Sequence, residues 1–222
     1  MNDYLGAFVP RLAPDAAASA LLLIDLQRAT GARDGALGRK MKAEGSRLTD
    51  YRFDRIERLV LPYAAGLAQA FRAAGRPVVH VTIGAAAPDA ADAPAHMRLV
   101  FREFRNHVGS REHDVLDAVK PVPGDHMVRK TTIGAFASTG IDSLLRALGC
   151  GQLYLCGVST NMCVESTARE AADRGYRVTL VEDACAATHA DLHDAALRNF
   201  GRLFGCVRTT GQVLGELGFA AR

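Results

Sequence analysis

The segment Gly157-Val158-Ser159-Thr160-Asn161-Met162-Cys163-Val164 places a cysteine just after an apolar run and at the first turn of a helical pattern. The unpaired amides and dipole of a helix start favour negative charge. The spacing therefore predicts a thiol of lowered pKa, suited to nucleophilic attack or reversible oxidation. The plainer alternative is a small core residue. Two further groups close apolar runs: Asp25 follows Leu21-Leu22-Leu23-Ile24, and Lys130 follows Met127-Val128-Arg129. Taken singly, the aspartate reads as a cap or turn residue and the lysine as a solvated loop charge. Taken with Cys163, they supply a base, a cation and a nucleophile.

The elements that must position them alternate. Strand-like runs recur at residues 20–24, 77–83, 127–128, 152–156, 177–181 and 206–209, with helical patterns at 62–74, 140–148, 161–174 and 191–204. In the first helical run Pro62 stands early and Gly75 closes it. Such alternation predicts one α/β domain over residues 1–222, a three-layer α/β/α Rossmann-like fold with a mostly parallel six-stranded sheet. Ligands of such sheets bind outside the carboxyl ends of the strands, and Asp25, Lys130 and Cys163 all fall on that edge. Independent accidents would scatter over both edges. Residues 30–51 and 84–94 read as long loops, either lids or solvated insertions, and residues 1–16 as an irregular arm that packs on another subunit.

Composition narrows the function classes. The 222 residues are 49% hydrophobic with a net charge of +3, enough for a sizeable core. No basic run interleaved with aromatics argues for nucleic acid, no apolar stretch is long enough for a membrane span, and no secretory signal opens the chain, so a cytoplasmic location is expected. Five cysteines form no CxxC pair and imply no disulfide framework. His189 and His193 are four apart, but no glutamate or third ligand accompanies them at zincin spacing; they read as surface or satisfied histidines, and no metal is expected.

Asp25-Leu26-Gln27, Lys130-Thr131-Thr132-Ile133-Gly134-Ala135-Phe136, Gly157 to Val164 with Arg169-Glu170-Ala171, and Glu182-Asp183-Ala184-Cys185-Ala186-Ala187 together resemble the isochorismatase-like cysteine hydrolases, in the family's order across about residues 20–214. The resemblance implies a Cys163-Lys130-Asp25 triad, a cis peptide at Val158-Ser159, and an oxyanion hole from the amides of Ser159 and Cys163. It implies no cofactor. The cysteine favours C–N hydrolysis over vinyl-ether cleavage. The stretch His80-Val81-Thr82-Ile83-Gly84, with Asp89, Asp92 and His96 later, lacks the Asp-x-His metal pair of nicotinamidases. The expected substrate is thus a small amide, ureido or carbamoyl compound, such as an N-carbamoyl amino acid, a biuret-like urea or ureidoacrylate. A nicotinamidase-like amidase and a redox-sensing cysteine protein are the alternatives. Gln27, Phe136 and Asn161 are the candidate substrate-binding residues, with Arg28, Arg105 and His107 behind them. Many relatives read Asp-x-Gln-x-Asp-Phe, where this chain has Asp25-Leu26-Gln27-Arg28-Ala29-Thr30, so an aromatic wall must come from elsewhere. A homodimer or homotetramer is expected.

Overall fold

The computed structural model describes residues 4–8 and 13–219. Six strands, β1 (Ser19–Ile24), β2 (Val78–Ile83), β3 (His126–Lys130), β4 (Gln152–Val158), β5 (Arg177–Ala186) and β6 (Cys206–Arg208), form one sheet in the order β3-β2-β1-β4-β5-β6. Every pairing is parallel. Helices cover both sides, so β1, β2 and β4 are buried along their whole length and read as continuous apolar runs rather than alternating ones. The strand order reverses between β1 and β4. Connections there leave toward opposite faces and open a crevice at the carboxyl edge.

Residues 30–51 are not a loop. They hold α1 (Arg28–Gly31, begun just before), α2 (Ala36–Ala43) and the start of α3 (Asp50–Arg55). The charges that made the stretch look solvated are spent on fixing it: Glu112 accepts from the Ala36 amide at 2.8 Å and from Arg39 at 2.9 Å. α3 continues through a π-helical turn, Ile56–Val60, into α4 (Leu61–Ala73), well upstream of the start that Pro62 suggested. The Leu61 amide bonds back to Ile56 O, and this wider turn precedes the residue that has no N–H to donate. Residues 84–94 do form a connection of bends and turns, which leads into α5 (Ala95–Glu103). The remaining helices are α6 (Ile141–Ala147), α7 (Glu165–Asp173, entered through a π-helical turn at Thr160–Val164), α8 (Ala190–Gly201) and α9 (Thr210–Leu217), the last opened by a Thr209–Gln212 capping box. Of the expected arm, Tyr4–Phe8 is a 3-10 turn with Tyr4 and Phe8 exposed; residues 1–3 and 9–12 lie outside the described residues.

One glycine fixes the crevice. Gly157 pairs with Ile24 across β1 and β4 at a φ of 122°, and a Cβ there would sit 2.1 Å from the Ile24 carbonyl oxygen. Gly157→Ala therefore combines backbone strain with a main-chain clash, and urea denaturation should show a loss of about 3 kcal/mol or more. A variant as stable as the parent would mean that the two strands can separate freely.

Candidate active site

β1, β3 and β4 each deliver one of the three groups singled out above. Asp25 follows the last residue of β1 in the left-handed region, with φ of 52°, its amide bonded to Val81 O at 2.8 Å. Aspartate tolerates this conformation better than most residues, and the turn aims its carboxylate across the strand ends. Lys130 ends β3 and is fully buried. It donates to Asp25 Oδ2 at 2.9 Å, Ile133 O at 2.9 Å and Thr132 O at 3.1 Å, which commits all three ammonium protons. Cys163 sits in the π-helical turn after β4, 8% exposed, where the Met162 and Val164 amides both close on Ser159 O. The structure thus brings Asp25, Lys130 and Cys163 together.

The electrostatics correct the expectation of an acidic thiol. Burial pushes the Cys163 pKa up to about 12; the Asp25 charge adds to the rise and Lys130 only partly offsets it. A helix start alone cannot compensate for removing a thiolate from water. Burial also raises Asp25, against the opposing pull of Lys130, Cys163 and Arg52. For Lys130 burial works against the charge, but Asp25 and then Cys163 outweigh it and its pKa lies above the ordinary value. The resting site therefore holds a thiol beside an ammonium–carboxylate pair. Asp25 Oδ1 is buried without a hydrogen bond of ordinary geometry, and the thiol is the group that couples to this carboxylate. A proton acceptor stands open next to the proton it would take.

These shifts have a sign in stability. Cys163 and the buried Cys185, also pushed up to about 12 by burial, keep their protons in the folded chain at pH values where the unfolded chain, at about 9, has released them. The unfolded state then binds fewer protons, so stability falls as pH rises from 9 toward 12, by about 1.4 kcal/mol per pH unit for each thiol. Melting temperatures across that range, with Cys185→Ala flattening the slope, check this.

Other expected site residues are placed differently. Gln27 is buried and its amide serves the scaffold: Oε1 accepts from the Ile83 amide at 2.7 Å, and Nε2 donates to His113 O at 2.9 Å. It ties the end of β2 to the turn Arg111–His113 and has no group left for substrate. Phe136 packs against Tyr176, ring centroids 6.0 Å apart, with the Arg174 guanidinium 4.9 Å from its ring centroid. Asn161 is half-buried beside the exposed Met162, two residues before the thiol. Arg28 is paired with Asp34, His107 Nδ1 lies 3.1 Å from its neighbour's carbonyl, and Arg105 is exposed on a groove with Arg39 and Lys40.

Arg52 was not anticipated, and neither were the partners of His193. Arg52 of α3 is buried, donating from Nε to Thr30 O at 2.9 Å and from Nη1 to Ser159 Oγ at 2.5 Å. It shares a helix face with Ile56 and Val60, and a charge on that apolar stripe was the signal available in the sequence. His193 of α8, read from sequence as a satisfied histidine, is one. Arg55 can only donate to its Nε2, at 3.0 Å, so Nδ1 carries the proton toward Thr160 Oγ1 at 2.8 Å, and burial holds the ring neutral, its pKa at about 4. This bond steadies the turn that carries Cys163. The Val158–Ser159 peptide preceding that turn is cis.

Comparison with known proteins places the chain in a family. The isochorismatase domain matches residues 19–212. The chain belongs to the isochorismatase family. It is 31% identical over 177 residues to the isochorismatase family protein YecD of Escherichia coli O157:H7, covering 71% of this chain and 90% of that one. It is 38% identical over 111 residues to ureidoacrylate amidohydrolase RutB of Caulobacter segnis, covering 50% of this chain and 46% of the relative. That match spans about half of either protein. Among solved isochorismatase-family folds, N-carbamoylsarcosine amidase from Thermoplasma acidophilum superposes with a TM-score of 0.63 at 26% identity, covering 86% of this chain and 96% of that one.

Proposed function

We propose that the chain is a cysteine-dependent hydrolase that cleaves a C–N bond in a small amide, ureido or carbamoyl compound and releases ammonia. The observation that carries this reading is the unbonded, buried Asp25 Oδ1 coupled to the Cys163 thiol, with Lys130 holding the other carboxylate oxygen. Similarity to ureidoacrylate amidohydrolase and N-carbamoylsarcosine amidase supports the substrate class.

The proton passes from Cys163 Sγ to Asp25 Oδ1, and the sulfur attacks the carbonyl or carbamoyl carbon. The C=O electron pair moves onto oxygen, which the Ser159 and Cys163 amides receive. Asp25 returns its proton to the departing nitrogen as the C–N bond breaks, leaving a thioester or thiocarbamate and ammonia. Water, deprotonated by Asp25, then adds to that carbon and expels the thiol. Asn161, at the cleft mouth, is the remaining candidate to bind substrate. The shielded nucleophile suits a small, polar molecule.

Ammonia release measured over a panel of ureides, N-carbamoyl amino acids, biuret-like compounds and primary amides tests the reading. Release from at least one class is expected; a folded protein that turns over none of them sinks it. The same reading places the enzyme in the cytoplasm as a homodimer or homotetramer, with exposed Tyr4 and Phe8 as contact residues. Light scattering on the purified chain would return a monomer mass if that assembly is wrong. No helix of the described residues is long and apolar enough to cross a membrane.

A further inference from the structure

Arg52 is a buried cation with no carboxylate of its own: its hydrogen bonds go to a carbonyl and a hydroxyl, and no ion pair among the described residues includes it. Buried charges are ordinarily paired, because desolvating one alone is costly. Burial indeed pulls the guanidinium down to about 10, and the acidic groups whose negative charge would oppose this are Cys163 first and Asp25 second. Lys130 also couples to the thiol, but it is already paired with the Asp25 carboxylate and bonded to two carbonyls.

We propose that Arg52 is a positioning residue that supports negative charge on Cys163 and holds the Ser159 turn in register with α1. The inference rests on reading Cys163 as the nucleophile, not on any particular substrate. When the proton moves from Sγ to Asp25 Oδ1, the S–H bond breaks, an O–H bond forms, and the negative charge shifts from carboxylate to sulfur. The site carries one excess positive charge before and after this step, and Arg52 is its source. The guanidinium also spans the cleft, joining Thr30 on the β1 side to Ser159 on the β4 side. The ionisable groups around the thiol are Asp25 from β1, Lys130 from β3 and Arg52 from α3; behind Thr160 stand His193 of α8, held neutral, and Arg55.

The test is the rate at which iodoacetamide, a neutral probe, alkylates Cys163 in the full chain between pH 7 and 9.5, followed by mass spectrometry beside the anionic isostere iodoacetate. Arg52→Gln is expected to slow both reagents about tenfold at pH 8, one pKa unit of lost thiolate, and to shift the pH profile alkaline. Arg52→Lys keeps the charge and should restore most of the rate. An unchanged iodoacetamide rate in Arg52→Gln overturns the proposal. A loss confined to iodoacetate also overturns it, and would make Arg52 a binder of anionic substrate groups instead. Equal slowing in Arg52→Lys and Arg52→Gln, with matching melting temperatures, would reduce the residue to a structural bridge and overturn the charge role. Alkylation needs no turnover, so a failed substrate panel and a failed Arg52 are separate results.

Discussion

Cys163→Ala is expected to lower kcat for ammonia release by about ten-thousandfold or more, with the fold intact. The loss is large because the remaining groups cannot replace a nucleophile: Lys130 is fully bonded, and Asp25 can at best activate water against an unactivated amide. The effect on stability is small by comparison. The alanine leaves a one-atom gap, worth about 1 kcal/mol, and removes a thiol that burial already kept uncharged. Cys163→Ser keeps the shape but substitutes a hydroxyl far less acidic than the thiol, so it should be nearly as inactive. Ammonia assays run beside thermal melts separate the two quantities. Turnover in Cys163→Ala at the parental rate would remove the covalent mechanism.

The ion pair between Asp25 and Lys130 gives the second large effect, and here activity and stability should part company. Asp25→Asn leaves the Lys130 ammonium buried without its anion; Lys130→Met leaves the Asp25 carboxylate equally stranded. Each single change is expected to cost about 3–5 kcal/mol in urea denaturation. Each also removes about three orders of magnitude in kcat, through the lost base in one case and a carboxylate pushed toward its neutral form in the other. The double variant removes both charges together. It should regain most of the stability, since no isolated charge remains, while staying inactive. Stability losses that simply add would show that the two groups do not depend on each other in the folded chain.

How far the sequence carried these conclusions depends on where each property originates. Leu21 to Ile24 and Leu153 to Cys156 could be recognised as central parallel strands because burial on both faces demands unbroken apolar runs. Parallel topology then placed Asp25, Lys130 and Cys163 at one edge without any knowledge of contacts. The thiol's pKa went the other way because a helix terminus is a local property, whereas desolvation comes from every element packed around the turn. The partners of Gln27 and Phe136 were out of reach for a related reason: a motif gives position along the chain, not the direction of a side chain. Gln27 turned toward the main chain of β2, and Phe136 toward Tyr176. Arg52 and His193 act through partners more than twenty residues away, a distance no local pattern spans.

The origin of the three reacting groups has a consequence for how this enzyme can diversify. Asp25, Lys130 and Cys163 hang from the ends of β1, β3 and β4, and the registers of the sheet are locked together by main-chain bonds and by the contact at Gly157. The neighbouring wall, from α1 to α3, is held by exchangeable side-chain pairs such as Arg28 with Asp34 and Arg39 with Glu112. The strand-end alignment of Asp25, Lys130 and Cys163 and the packing of α1 to α3 thereby rest on different kinds of bond. Mutations can re-pair the side chains of α1 to α3 without breaking the main-chain bonds that set the strand ends.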